Sequence, residues 1–266
     1  MTAPSAATSP GAVRPDAVRP DPVRPCALVP TYDNPRTVRG VVESLRTWIP
    51  DVLVVDDGSG PEGRAAIEAL RNEGLAQVVS LARNRGKGAA MKVGFARLLE
   101  LGFTHAMQVD ADGQHDLQQV PVFLAAAQRE PQALVLGYPL YDATVPTLRL
   151  KARALTRFWV DLEVGGPGRI RDALIGFRVY PLAQTLAVGA RGNRMEYEVE
   201  VAVKMARAGV PVRNLPVGVR YLTREEGGIS HWRPFGDNVR LSWMHARICT
   251  AICTRWVFSR LGLVRP

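Results

Sequence analysis

Val52-Leu53-Val54-Val55-Asp56-Asp57-Gly58-Ser59-Gly60-Pro61 joins an apolar strand, an acidic turn and the start of a helix within ten residues. A short apolar run bounded by Asp and Gly is typical of a buried strand. Proline suits the first position of a helix, where a backbone N–H would have no intrahelical partner. The segment therefore predicts one strand-helix unit of a parallel sheet.

The same layout occurs three more times in the first half of the chain. One strand ends at Thr31 and precedes a helix predicted from residue 34 to about residue 47. Another strand, over 77–81, precedes a basic glycine loop and a helix predicted over 89–101, and a fourth strand ends at Asp110. The sequence thus predicts an α/β fold in which helices cover both faces of a mostly parallel sheet and ligands bind at the carboxyl ends of its strands.

The segment after the fourth strand contains two carboxylates and an amide at alternate positions. It reads Val109-Asp110-Ala111-Asp112-Gly113-Gln114-His115. Mg²⁺ and Mn²⁺ prefer such oxygen ligands and complete their shell with water and phosphate oxygens. Asp110, Asp112 and Gln114 are therefore candidate metal ligands. The alternative for this segment taken alone is an ordinary polar turn.

Two further loops at predicted strand ends carry charged side chains. The acidic turn presents Asp56 and Asp57, and the basic loop presents Arg85 and Lys87. Taken singly, either loop could be a solvated turn. Their joint placement at one edge of the sheet favours a site for an anionic ligand, with Lys87 and Arg85 as candidate partners of its charge.

Five segments together resemble family 2 glycosyltransferases of the GT-A fold, in particular the dolichyl-phosphate mannose synthase-like branch. They are Val-Pro-Thr-Tyr at 29–32, Val-Asp-Asp-Gly-Ser at 55–59, Asn-Arg-Gly-Lys-Gly at 84–88, Asp-Ala-Asp-Gly-Gln-His at 110–115 and Gly-Phe-Arg at 176–178. The resemblance spans roughly residues 26–222. Its order and spacing are specific for the superfamily and not for the substrate.

The resemblance implies an inverting transferase whose donor is a nucleotide-diphosphate sugar and whose cofactor is Mg²⁺ or Mn²⁺. It implies that Pro30 and Tyr32 flank the nucleotide base and that Asp57 accepts a hydrogen bond from the base ring. It also implies further nucleotide or phosphate contacts from Lys87, Asp110, Ala111 and Arg178.

The same family pattern implies a cation site. Asp110 lies near the ribose and the cation, while Asp112 and Gln114 hold the cation that offsets charge on the leaving nucleotide. One departure from the pattern follows this motif, since His115-Asp116-Leu117 replaces the common His-x-Pro. Asp116 is predicted to cap the next helix, and His115 to pack at its entry. A second departure is Asp33-Asn34, which replaces the usual Asn-Glu.

Whether the site needs a catalytic base depends on whether the acceptor must lose a proton. A lipid phosphate is already ionised, whereas a sugar or alcohol hydroxyl needs a carboxylate within hydrogen-bond reach. Asp172 and Glu198 are the candidate catalytic residues, with Glu196 as a further candidate. Glutamates alternate over 196–200, which could indicate an exposed strand, but the segment continues as a helical pattern up to Gly209 and is predicted to be a helix.

The chain is predicted to have three parts. Residues 1–25 form a flexible proline-rich leader, because Ala-Val-Arg-Pro-Asp occurs twice in them. Residues 26–225 form the GT-A domain, which ends with a strand over 210–221. Residues 226–266 form a glycine-containing lid loop and a basic amphipathic C-terminal helix. The three cysteines fit no metal spacing and are predicted to be small packing residues.

The formal net charge of +9 is concentrated near the C-terminus, where residues 233–266 contain six arginines and one aspartate. This helix could lie on an anionic membrane or pack across the domain with solvated arginines. No nucleic-acid recognition motif accompanies the charge. The predicted location is the cytoplasm, with the inner face of the cell membrane as the alternative within it.

The leading functional prediction is transfer of a sugar to a lipid-linked or membrane-associated acceptor. The alternative is a catalytically silent, transferase-like protein that binds a membrane enzyme. An intact metal motif would have no use in such a protein.

Overall fold

Seven strands form one sheet in the computed structural model, which describes residues 22–141, 145, 147–220, 223 and 234–261. The strands are β1 (Pro25–Thr31), β2 (Val52–Asp56), β3 (Gln77–Ser80), β4 (His105–Val109), β5 (Leu134–Tyr141), β6 (Phe177–Pro181) and β7 (Val212–Val219). The helices are α1 (Val38–Arg46), α2 (Pro61–Asn72), α3 (Lys87–Glu100), α4 (Val120–Arg129), α5 (Thr147–Glu163), α6 (Leu182–Ala187), α7 (Glu196–Arg207) and α8 (Pro234–Arg260).

The strand order is β3-β2-β1-β4-β6-β5-β7. The first four strands of this order are parallel, as predicted from the repeated strand-helix units. β6 runs antiparallel to both of its neighbours, and β5 pairs in parallel with β7. The sheet is therefore mixed but mostly parallel, which confirms the predicted fold class.

Hydrophobic side chains cover both faces of the sheet because neighbouring residues of a strand point in opposite directions. Leu28 of β1 packs in the core layer that contains Phe95 of α3 and residues of α7 and α8. Val29 packs in the other layer, with Leu45 of α1 and Phe123 of α4. Helices thus lie on both faces, as predicted.

Most predicted helix boundaries agree with the structure, with one clear exception. α2 begins at Pro61, and α7 runs from Glu196 to Arg207, so the alternating glutamates do not form a strand. α1 begins at Val38 and not at residue 34, because the N–H groups of Thr37 and Val38 both donate to the Asn34 carbonyl in a preceding turn.

The three cysteines differ in their surroundings. Cys26 is buried in the core, whereas Cys253 is exposed, so the prediction that all three are packing residues is wrong for Cys253. Within the described residues, no helix is both long and apolar enough to cross a bilayer. Most of the predicted leader and the predicted lid loop, including Gly227 and Gly228, lie outside the described residues.

Candidate active site

A cleft of about 700 Å³ lies at the carboxyl ends of β1, β2 and β4. The strands end in polar side chains at this edge, and residues from α5 and α8 form the opposite wall. Nine of the predicted site residues line the cleft, namely Pro30, Tyr32, Asp57, Lys87, Asp110, Ala111, Asp112, Gln114 and Glu196. Asp172, Arg178 and Glu198 do not line it.

Asp57 fastens the basic glycine loop to the acidic turn. Its Oδ1 accepts a hydrogen bond of 2.7 Å from the backbone N–H of Arg85, and its Oδ2 accepts one of 2.7 Å from that of Gly86. Burial raises the pKa of Asp57, and the two N–H donors partly oppose that rise. A Cβ at Gly86, whose φ is +101°, would overlap the carbonyl oxygen of Asn193. The loop therefore requires glycine here.

Lys87 neutralises carboxylates at the floor of the cleft. Its Nζ lies 2.6 Å from Asp110 Oδ1 and 2.9 Å from Glu198 Oε2. The amide of Gln108 donates to Glu198 Oε1 at 2.7 Å and to Asp110 Oδ1 at 3.3 Å. Burial lowers the pKa of Lys87, but the two carboxylates outweigh it, and the net shift is upward. Lys87 is therefore a permanent cation between two acids.

Asp110 lies directly against the backbone of Gly176. A Cβ at Gly176 would overlap the Asp110 carboxylate. The two residues meet because β4 and β6 pair in antiparallel fashion, with Val109 opposite Phe177. Glycine at position 176 is thus what leaves room for this carboxylate.

The side chains of Asp110, Asp112 and Gln114 are consistent with a divalent cation that is shared with phosphate. All three line the cleft, and Asp112 Oδ1 accepts a hydrogen bond of 3.1 Å from the Gln114 N–H, which holds the loop in a tight turn. The described residues contain no cluster of three His, Cys, Asp or Glu side chains that could hold a metal alone. Two carboxylates and an amide suit Mg²⁺ or Mn²⁺, which take their remaining ligands from water and phosphate.

Asp172 is turned away from the cleft. Its Oδ1 accepts hydrogen bonds from the N–H groups of Leu174 and Ile175, at 2.8 and 2.9 Å, and its Oδ2 forms an ion pair with Arg153. The side chain borders a second cavity, of about 300 Å³. Asp172 thus borders the second cavity and not the cleft, and its predicted role toward the acceptor stays a prediction.

Glu198 and Arg178 are both completely buried beneath the cleft. Arg178 donates to the carbonyl oxygens of Ile175 (2.6 Å), Ala173 (2.7 Å) and Glu198 (2.8 Å), so its guanidinium is not directed at a phosphate. Glu198 is held by Lys87 and Gln108, and it does not reach an acceptor in the cleft. Both side chains support the site from below, contrary to the contacts that the resemblance implies.

His115 and Asp116 agree with their predicted roles. The His115 ring packs at 5.6 Å from the ring of Phe177 while it also borders the cleft. Asp116 accepts a hydrogen bond of 3.0 Å from the N–H of Gln118 and so caps the short 3₁₀ turn Leu117–Gln119.

Arg194 is a cleft residue that the sequence did not single out. It donates to the side-chain oxygen of Asn84 at 3.1 Å, and the neighbouring Asn193 carbonyl accepts the N–H of Ala89 at 2.9 Å. Glu200 holds the start of this segment, since its Oε2 accepts the N–H groups of Arg191 and Gly192 at 3.0 and 2.7 Å. The segment before α7 thus clamps the basic glycine loop.

The wall opposite the strand ends contains cations. Arg153 and Thr156 of α5 and Arg240 of α8 line the cleft. Arg153, Thr156 and Leu174 also line the second cavity, which therefore shares a wall with the cleft. Two more arginines border this cavity, Arg157 and Arg171, and Arg171 lies over the Tyr138 ring at 4.0 Å. Arg153 and Arg240 are paired with Asp172 and Asp237, so this wall carries both charges, and arginines outnumber carboxylates only at the second cavity.

Comparison with known proteins identifies similar transferases. An undecaprenyl-phosphate mannosyltransferase of Micrococcus luteus is 28% identical over 214 residues, which cover 75% of this chain and 84% of that protein. A polyprenol monophosphomannose synthase of Mycolicibacterium smegmatis is 27% identical over 230 residues, which cover 80% and 82%.

The fold is shared with glucosyl-3-phosphoglycerate synthase of Mycobacterium tuberculosis. Its crystal structure with UDP has a TM-score of 0.63 at 17% identity, covering 85% of this chain and 80% of that one. Its complex with Mn²⁺, UDP-glucose and phosphoglyceric acid has a TM-score of 0.62 at 17% identity, with the same coverage. These matches confirm the GT-A fold.

A family model described as glycosyl transferase family 2 matches residues 26–191. Those residues hold β1 to β4, the acidic turn, the basic glycine loop and the metal motif. Because the model covers more than half of the sequence, the chain belongs to glycosyl transferase family 2.

Proposed function

We propose that this chain transfers a sugar, with inversion, from a nucleotide-diphosphate sugar to a lipid-linked phosphate, and that a divalent cation, Mg²⁺ or Mn²⁺, assists. One observation carries the acceptor half of this proposal: two of the three candidate bases are held in ion pairs, Asp172 by Arg153 and Glu198 by Lys87, and the third, Glu196, accepts two backbone N–H groups. An acceptor oxygen that is already ionised needs no such base. The names of the two mannosyltransferase relatives support the same acceptor class.

The donor half of the proposal uses the strand ends. Asp57 keeps the basic glycine loop in place, and Pro30 and Tyr32 would lie beside the base. Asp110, Asp112 and Gln114 would hold the cation, which supplies charge stabilisation for the leaving diphosphate when bound. Lys87 holds Asp110 in position. Solved complexes of the M. tuberculosis synthase with UDP and Mn²⁺ support this ligand pair.

The acceptor half uses the wall opposite the strand ends. Arg153 lies where the cleft meets the second cavity and would contact the acceptor phosphate. Glu196, the third candidate base, accepts the N–H groups of Asn193 and Arg194 at 3.0 and 3.2 Å and so caps the start of α7. The chemistry would then be a single displacement by the phosphate oxygen at the sugar carbon, with the nucleotide diphosphate as leaving group.

Donor binding is tested by calorimetric titration of UDP, GDP and their common sugar conjugates, with and without Mn²⁺. We expect one nucleotide to bind the wild type only when Mn²⁺ is present. We expect Asp112→Ala to abolish this Mn²⁺-dependent binding. Asp116→Ala is the matched control, since it removes a carboxylate of the same loop that caps a turn. Absence of nucleotide binding by the folded wild type would instead favour the catalytically silent alternative.

Acceptor class is tested with the donor so identified. Transfer of labelled sugar is measured to undecaprenyl phosphate, to undecaprenol and to a soluble glycoside in the same detergent. We expect product only with the phosphate. Transfer to the free alcohol or the glycoside would contradict the proposal and require a base.

Two further points stay predictions. One is membership of the mannose synthase-like branch, and the other is a location at the inner, cytoplasmic face of the cell membrane.

A further inference from the structure

The outward face of α5 is apolar over its whole middle part. Leu155, Phe158 and Leu162 are 62%, 62% and 60% exposed, and Trp159 is exposed beside them. Their spacing of three and four residues places them on one face of the helix. The opposite side of α5 is buried through Val160. We name these four residues the α5 stripe.

α8 continues this apolar surface. α5 and α8 pack against each other, since Glu163 Oε1 lies 2.8 Å from His245 Nδ1. Trp159 of the stripe stacks on His245 with ring centres 6.0 Å apart. α8 continues from His245 to Arg260, and Trp256, Val257 and Phe258 of its final turns and Leu261 just after it are exposed.

Arginines accompany these apolar residues. Arg157 lies within the span of the stripe and is exposed, and Arg255 and Arg260 lie among the exposed aromatic residues of α8. The Arg260 guanidinium lies 5.3 Å from the centre of the Trp256 ring. Tryptophan prefers the boundary between lipid tails and headgroups, and arginine binds the phosphates of those headgroups.

We propose that the α5 stripe and the last turns of α8 form a surface that docks on an anionic lipid bilayer. The charge of these helices complements anionic headgroups, and the same two helices form the wall of the cleft opposite the strand ends. Docking therefore brings the acceptor end of the cleft to the bilayer surface, where the phosphate of a lipid-linked acceptor lies. This last step rests on the proposed function. The sequence left open whether the C-terminal helix packs on the domain or lies on a membrane. The first half of α8 packs on the domain, and its second half is exposed and belongs to the proposed docking surface.

The test is co-sedimentation with vesicles of phosphatidylcholine alone and of phosphatidylcholine with phosphatidylglycerol. The stripe variant carries Leu155→Gln, Phe158→Gln and Leu162→Gln, none of which lines the cleft. The matched control carries Trp48→Gln, Leu99→Gln and Val122→Gln, which are 41%, 44% and 46% exposed elsewhere on the domain. We expect the wild type and the control to bind the anionic vesicles, and the stripe variant to bind at least tenfold more weakly.

Equal vesicle binding by the stripe variant and the wild type would overturn the proposal. A second result would also overturn it: the wild type does not bind vesicles and sediments as a dimer, whereas the stripe variant sediments as a monomer. The α5 stripe would then contact a second copy of the chain. Transfer to a short-chain, water-soluble prenyl phosphate separates this proposal from the proposed function. We expect the stripe variant to keep that transfer and to lose transfer to undecaprenyl phosphate in vesicles. If the wild type transfers to neither acceptor while the difference in vesicle binding holds, the docking surface stands and the proposed function fails.

Discussion

Lys87 Nζ lies 2.9 Å from Glu198 Oε2, beneath the floor of a cleft that Glu198 itself does not reach. The pair joins the basic glycine loop to α7, two elements separated by more than 100 residues of sequence. Since Lys87 also binds Asp110, one cation, which is 17% exposed, balances two acids at the proposed metal site. Lys87 therefore stabilises the fold and fixes a proposed ligand at the same time.

Replacing Lys87 with Met should destabilise the protein by about 3 kcal/mol or more, because removal of one partner leaves a buried charge without compensation. The double variant Lys87→Met/Glu198→Met should recover at least about 1 kcal/mol of that loss, because contacting residues couple. Urea unfolding of the two single variants and the double variant measures the coupling. Strictly additive effects would mean that the pair contributes nothing.

Gly176→Ala should abolish metal-dependent nucleotide binding, because the new methyl group would overlap the Asp110 carboxylate and displace it. Gly40→Ala is the control, since a Cβ at Gly40 of α1 meets nothing within 4 Å. The control should be neutral or stabilising, by up to about 1 kcal/mol, because alanine favours helix. Calorimetry with Mn²⁺ and the nucleotide compares them. Wild-type affinity in Gly176→Ala would show that the position of Asp110 is unimportant.

Asp57→Asn should loosen the basic glycine loop. An amide can accept from only one of the N–H groups of Arg85 and Gly86 and turns an N–H₂ group toward the other. An unsatisfied buried donor costs about 1 to 3 kcal/mol. Hydrogen exchange of the two amides should accelerate relative to the wild type, with nucleotide affinity falling in parallel. Unchanged protection of both amides would contradict this anchor.

Arg153→Met should raise the KM for the lipid phosphate by about tenfold or more, since a hydrogen bond to a charged group contributes about 1.5 to 3 kcal/mol. The affinity for the nucleotide should not change, because Arg153 lies on the far wall of the cleft. Arg97→Met, at an exposed arginine of α3 that borders neither cavity, is the control and should behave as the wild type. Equal effects of both substitutions would indicate a general loss of positive charge and no specific contact.

Glu200→Gln should make the free energy of unfolding less dependent on pH in the acidic range. Burial raises the pKa of Glu200, but the Gly192 N–H and the cations Lys204 and Arg247 outweigh it, and its pKa falls below the ordinary value of 4.5. Between that value and the lower folded pKa, the unfolded chain holds more protons, so wild-type stability falls as the pH decreases. Urea unfolding from pH 6 to pH 3 should show this slope in the wild type and a smaller one in Glu200→Gln. If the free energy of unfolding depends on pH equally in the two proteins, Glu200 does not cause the loss of stability in acid.

The strand-end side of the cleft could be predicted from the sequence because its residues follow strands directly. Asp57, Lys87 and Asp110 each occur within a short motif at the end of an apolar run, and a parallel sheet must bring such ends to one edge. The fold class follows from the same repetition. None of these inferences requires knowledge of a contact between distant segments.

The supporting residues could not be predicted, because their environment comes from distant segments. Glu198 looks like part of a solvated acidic face, yet its partner Gln108 lies 90 residues away. Arg178 is buried because a turn presents carbonyl oxygens to it, and Asp172 meets Arg153 on a helix that precedes it. The sequence around these residues therefore does not indicate which distant residues they contact.

The reversed direction of β6 has a consequence for how this protein can diversify. The chain leaves the sheet at the end of β5 and returns at the start of β6, at the same edge as Asp110. The described residues between these two strands include α5, and residues 152, 153, 156 and 174–176 line the cleft. Substitutions confined to this one stretch of chain can therefore reshape the wall that we assign to the acceptor and leave the motifs at the strand ends unchanged.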